Sequence, residues 1–140
     1  MKIVALLATT LALTGVAAAQ KVKVKIDNEV VAFDVMPKQI NGVTMVPIRS
    51  MLDSMGGSMR WDLQTRTISA WKNSRRFDFV VNSRQAMVND KPMQMEEAPI
   101  ILQNRIYVPL KFLADASGYL ISMEDDWYVL RPTRKAVGQR

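Results

Sequence analysis

Pro37-Lys38-Gln39-Ile40-Asn41-Gly42-Val43-Thr44-Met45-Val46-Pro47-Ile48-Arg49 is matched, 62 positions further on, by Pro99-Ile100-Ile101-Leu102-Gln103-Asn104-Arg105-Ile106-Tyr107-Val108-Pro109-Leu110-Lys111. The register continues without a gap through Asp53 with Asp115, Gly56 with Gly118 and Met59 with Ile121. Self-similarity at a fixed offset is the sequence mark of a repeated structural unit, here about residues 37–71 and 99–130.

Each unit predicts a short helix. Pro47 and Pro109 suit the first helical position, where the missing N–H costs nothing. Ile48, Met51, Leu52 and Met55 then fall at i, i+3, i+4 and i+7, a one-sided apolar stripe, and Gly56 follows where a helix end favours positive φ. Leu110, Leu113, Ala114 and Ser117 form the same stripe in the second unit, closed by Gly118. In this register Arg49, Asp53, Lys111 and Asp115 face water. Helices this short are unstable alone and need a surface to pack on.

Strands supply that surface. Lys21-Val22-Lys23-Val24-Lys25-Ile26 alternates strictly, with three lysines on one face and three apolar residues on the other. Asp27-Asn28 predicts a tight turn into Glu29–Phe33. Residues 59–61, 67–71, 77–81, 85–88, 121–123 and 127–130 are similarly short and rich in strand formers, with polar turns between them. The expected fold is α+β: antiparallel β-hairpins with two short helices on the sheet faces, built from two similar β-α-β units.

The N-terminus combines Lys2, an apolar run over residues 3–13, and Ala17 and Ala19 at the two positions a signal peptidase reads. Residues 1–19 are expected to be a cleaved signal peptide cut near Ala19/Gln20, residues 20–131 the exported domain, and residues 132–140 a basic flexible tail. With no cysteine, neither disulfides nor a lipidated thiol are available, so an ordinary hydrophobic core must hold the domain together. The formal net charge is +6, but the basic residues are scattered apart from Lys21, Lys23, Lys25 and the tail. Anionic wall polymer or an envelope protein is the partner class this balance favours, rather than nucleic acid.

Gly42, Val46, Pro47, Arg49, a helix ending at Gly56, then Trp61-Asp62, with Val108, Pro109, Lys111 and Gly118 in the second copy, resemble the copper amine oxidase N-terminal-like (stalk) domain of secreted bacterial proteins. The similarity runs from about residue 22 to about residue 131. It implies an accessory module rather than the catalytic domain that carries copper and a quinone. Asn28 and Asn104 stand where the family commonly has a turn glycine; asparagine tolerates the left-handed conformation, so the turns should survive.

The residues agree with a non-enzymatic reading. Without histidine or cysteine, serine and cysteine triads and the usual zinc and type-2 copper sites cannot be built. Glu96-Glu97, Asp125-Asp126 and the pair Asp53 and Asp115 lack calcium-loop spacing and read as turn or surface residues. Of the ten methionines, Met93 and Met95 stand on one side of an extended segment, and thioethers suit Cu(I). A Met-based copper(I)-handling role is therefore the alternative function. Met45, Met59, Met87 and Met123 read as core filler. Trp71, beside Lys72 and Arg75-Arg76, is the aromatic expected to be exposed; with Lys21, Lys23 and Lys25 it marks the expected binding surface. The function expected is an exported, non-catalytic binding or structural module of the cell envelope, without a cofactor.

Overall fold

The computed structural model describes residues 21–133. The expected signal peptide and residues 134–140 of the expected tail lie outside these. Among the described residues, thirteen strands and two helices follow one another as β1 (Lys23–Ile26), β2 (Glu29–Val30), β3 (Lys38–Ile40), β4 (Val43–Pro47), α1 (Ile48–Met55), β5 (Ser58–Asp62), β6 (Thr67–Lys72), β7 (Arg75–Val80), β8 (Gln85–Val88), β9 (Lys91–Gln94), β10 (Ile100–Leu102), β11 (Arg105–Pro109), α2 (Leu110–Ser117), β12 (Tyr119–Glu124) and β13 (Trp127–Pro132). The fold is α+β and mostly antiparallel.

Three sheets form rather than one. The central sheet has the order β10-β11-β4-β3, flanked by β5-β6-β7-β8-β9 and by β12-β13-β1-β2. In the central sheet β4 and β11 run antiparallel with Val46 opposite Val108, Pro47 opposite Tyr107 and Met45 opposite Pro109. A shift of 62 residues exchanges the last two pairs and maps the first onto itself. The pairing therefore has a local two-fold axis at Val46 and Val108, both wholly buried. A polar residue at either position would meet its partner strand with no access to water.

Around that axis each half has the order β-β-α-β-β, two strands more than the β-α-β unit expected, one on either side of the helix. The leading additional strands, β3 and β10, are three residues long and turn back through Asn41-Gly42 and Gln103-Asn104. All four turn residues have positive φ, as a two-residue turn of the type that matches strand twist requires. At the first hairpin the positive φ falls on Asp27 (55°), not on Asn28. The strand expected over Glu29–Phe33 ends at Val30, after which the Val31 N–H still bonds to the Val24 carbonyl.

Pro47 and Pro109 are the residue before each helix, not its first. Each ends its strand with extended ψ (119° and 129°), while its fixed φ leads the chain into the first turn. Gly56 and Gly118 end the helices at φ 73° and 81°, in the left-handed conformation that glycine adopts without steric cost. The stripes face inward as the spacing requires: Ile48, Met51, Leu52 and Met55 are buried, as are Leu110, Leu113, Ala114 and Ser117, while Arg49, Asp53, Lys111 and Asp115 are exposed.

Helix α2 buries more than its stripe. Phe112 lies edge-on to Phe77 and Phe79, with ring centroids 6.3 and 5.7 Å away, so α2 is covered by β7 as well as by β11 and β12. Edge-to-face pairs of this kind contribute about 0.5–1.5 kcal/mol beyond area burial. Strands β6, β7 and β8 supply Ile68, Ala70, Phe77, Phe79, Ala86 and Val88 to the core at every second position. Met87 and Met123, expected to be core filler, are exposed: Met87 lies on the solvent side of that alternation in β8, whereas Met123 shares the side of Tyr119 and Ile121 in β12 but stands near the turn into β13, where nothing covers it.

Strand β1 departs from the antiparallel pattern. It pairs parallel to β13, Val24 opposite Tyr128 and Ile26 opposite Leu130, so the chain's first described strand lies beside its last. Gly57 marks a close approach: a Cβ there would stand 2.7 Å from the Trp71 carbonyl oxygen and 2.9 Å from Leu52 Cδ2. Backbone cannot yield as a side-chain tip does, so Gly57→Ala is expected to cost about 1–3 kcal/mol as an overpacking change. Gly42→Ala, with nothing within 4 Å, should cost only its left-handed backbone strain. Thermal melts of the two variants check this: an unchanged melting temperature for Gly57→Ala contradicts the contact.

Candidate functional site

The strict alternation of β1 sends Val24 and Ile26 into the core and leaves Lys23 and Lys25 on the outer face. Parallel pairing sets Lys23 opposite Trp127. Lys23 Nζ lies 5.3 Å and Lys25 Nζ 4.4 Å from the Trp127 ring centroid, within cation–π range. The indole thus holds two ammonium groups together. Glu124, the carboxylate near Lys25, is already paired with Arg131, whose guanidinium is the main cause of its lowered pKa.

Beside this ridge lies a cleft of 870 Å³. Lys21, Val22 and Lys23 form one wall and Pro37, Lys38 and Gln39 the other, with Met123, Asp126 and Tyr128 contributed by the β12–β13 hairpin. Its walls belong to different sheets, joined by a short polar relay. Gln39 Nε2 donates to Thr44 Oγ1 at 2.6 Å, and that hydroxyl lies 3.2 Å from the Tyr128 hydroxyl. Three lysines against one aspartate make the cleft cationic.

The two-fold arrangement supplies a counterpart. A groove of 290 Å³ lies between β10 and β5, lined by Met59, Trp61, Leu63, Ile101 and Ile106 with Arg49 and Arg105 at its edge. Under the shift of 62 residues, Ile101 replaces Gln39 and Trp61 replaces Met123, so the two depressions share two equivalent lining positions. The groove is the more apolar of the two, its charged lining being Arg49 and the Arg105 that is paired with Asp34.

The expected binding residues divide into two groups. Lys23 and Lys25 are on β1 with Lys21 just before it, but Trp71, Arg75 and Arg76 lie at the β6–β7 hairpin next to Gly118. The two groups are at opposite ends of β13, separated by about 17 Å of strand. Trp71, expected to be exposed, is half-buried: Arg76 lies directly opposite, its guanidinium 5.6 Å from the ring and its Nε 3.0 Å from Asp78. Desolvation raises the Asp78 carboxyl, but hydrogen bonds from Arg76 and Ser69 outweigh it and the net shift is downward. Arg75 packs on Gly118 and Lys72 approaches Gly56, so this hairpin sets a cation at the C-terminal end of each helix, where the helix dipole favours one. Neither helix has a basic residue in its own last turn.

The other motif residues are structural in placement. Asp62 caps its own turn, accepting from the Gln64 and Thr65 N–H groups. Lys111 stands 3.5 Å from Glu96 on the surface. Met95 is 3% exposed within the apolar core, and Met93 is half-buried against the same core. Among the described residues no cluster of three or more carboxylates could hold a metal ion, and no helix is long and apolar enough to cross a membrane.

A family model for the copper amine oxidase N-terminal domain matches residues 25–130, from β1 into β13. The chain belongs to this family. The copper amine oxidase N-terminal domain is a non-catalytic accessory module. A search of curated proteins finds no match. The family match spans both halves of the two-fold arrangement and includes the cleft residues from Pro37 onward, while Lys21, Val22 and Lys23 precede the matched residues.

One polar anchor went unnoticed in the sequence because its partners are distant along the chain. Asp34 accepts from Arg105 Nε at 2.8 Å and from Ser50 Oγ at 2.9 Å, tying the segment before β3 to β11 and to α1. The Arg105 hydrogen bond, followed by that of Ser50, holds its carboxyl below the ordinary value of 3.8. A depressed carboxylate contributes stability above its unfolded pKa and loses it as pH falls through the folded value. Asp34→Asn should therefore melt below wild type at neutral pH, the gap closing as pH drops below about 4. A gap that stays constant across a pH series of thermal melts contradicts the anchor.

Proposed function

We propose that this copper amine oxidase N-terminal domain is an exported, non-catalytic binding module of the bacterial cell envelope, which acts through a cationic surface rather than a reaction centre. The observation that carries the reading is the lysine-lined cleft between β1 and β3, where Lys21, Lys23 and Lys38 stand against Asp126 alone. The leader over residues 1–19 supports export, and the formal net charge of +6 supports long-range attraction to anionic envelope material. Absence of histidine and cysteine from the whole sequence supports a role without acid–base or nucleophilic chemistry of the usual kinds. The copper(I) alternative draws no comparable support, because Met95 is enclosed in the core and would have to leave it to offer its thioether.

Purified protein mixed with isolated envelope should sediment with it at low salt and be released at about 1 M salt, where the Debye length falls to about 3 Å. Failure to sediment at low salt, together with no envelope protein recovered on the immobilised domain, contradicts the reading.

A further inference from the structure

We propose that the β1–β3 cleft is a binding site for a flexible, phosphate-bearing polyol chain, a linear phosphodiester polymer rather than a sugar-ring polyanion. This rests on the binding-module reading and adds the place and the ligand chemistry.

Four observations point to it. First, cationic groups face each other across the cleft, with Lys21 and Lys23 on one wall and Lys38 on the other, so an anionic chain lying between them meets charge on both sides. Second, the acids nearby do not cancel these charges: Glu124 is taken by Arg131, leaving Asp126 at the cleft. Third, the cations are lysines. An ammonium is a point charge on a mobile stem, which can follow successive phosphates along a flexible chain without the fixed planar geometry that an arginine fork demands of its anion. Fourth, Gln39 and Tyr128 line the cleft and place polar groups where the hydroxyls of a polyol would lie.

The apolar counterpart sharpens the argument. A lining needed only for folding would be expected to keep its chemistry across the two-fold axis, as Val46 and Val108 do. Instead Lys38 stands where the other half has Ile100, and Gln39 where it has Ile101. Strand β1 and the residues leading into it then add Lys23 and Lys21 to this side alone, because the parallel pairing of β1 with β13 has no equivalent beside β6, which pairs antiparallel with β7. Both differences add polarity or positive charge in one place.

Isothermal titration of the full chain with synthetic poly(glycerol phosphate) at low salt tests the proposal. Lys23→Glu/Lys38→Glu is compared with Arg60→Glu/Lys91→Glu, which changes net charge equally at exposed positions of β5 and β9 away from the cleft. The cleft pair should lose at least about tenfold in affinity and the control pair less than about threefold, the difference expected of local over long-range charge. Equal losses overturn the site, since binding would then follow net charge alone. Tighter binding of polygalacturonate than of poly(glycerol phosphate) overturns the ligand class. Wild type that sediments with envelope yet gives no heat with the polymer overturns this proposal while leaving the binding-module reading standing; failure in both assays removes both.

Discussion

The antiparallel pairing of β4 with β11 is the constraint on which the molecule depends. It sets Val46 against Val108 in the wholly buried centre of the middle sheet and delivers the chain directly into α1 on one side and α2 on the other. Each strand ends at a proline, which supplies the extended ψ of the strand and the φ of the helix entry at once. Each helix then stops at a left-handed glycine, and the chain turns back into the next hairpin. Because the pairing is two-fold, the depressions beside β3 and β10 share equivalent lining positions, Gln39 with Ile101 and Met123 with Trp61.

Asymmetry is added outside that frame, and the charged surfaces arise from it. Strand β1 extends the β12–β13 hairpin in parallel, whereas β7 extends the β5–β6 hairpin antiparallel. The first addition brings lysines to a cleft and holds two of them against Trp127. The second brings Phe77 and Phe79 over Phe112 and sets Lys72 and Arg75 at the helix C-terminal ends. Basic residues of similar appearance in the sequence thus do different work. Those at the β6–β7 hairpin complete the fold, while those on β1 and β3 remain available to a ligand.

Features with a local cause were legible in the sequence. The helix stripes, the terminal glycines and the alternation of β1 each follow from periodicity or backbone conformation within a few residues. What escaped depends on contacts between distant residues. Phe112 sits off the stripe shared by the two helices and is buried because β7 folds over it. Gly57 corresponds to Tyr119 in the other half, so the comparison of halves offered no signal for its closeness to Trp71. Asp34 meets Arg105 only after the halves have come together. For the candidate site, the lysines of β1 could be picked out by alternation, but Lys38, Gln39 and Tyr128 join them only through the meeting of two sheets. Met87 was misplaced because strand composition does not tell which face of a short strand is inside, and Met123 because the inward side of β12 is left uncovered toward its hairpin end.

The central claim is the register of β4 on β11, and backbone nuclear Overhauser contacts measure it directly. The account predicts cross-strand contacts linking Val46 with Val108, and flanking contacts linking Pro47 with Tyr107 and Met45 with Pro109. Contacts that place Val46 opposite any other strand, or opposite β11 in a register shifted by one or more residues, would contradict the two-fold arrangement and the paired grooves derived from it.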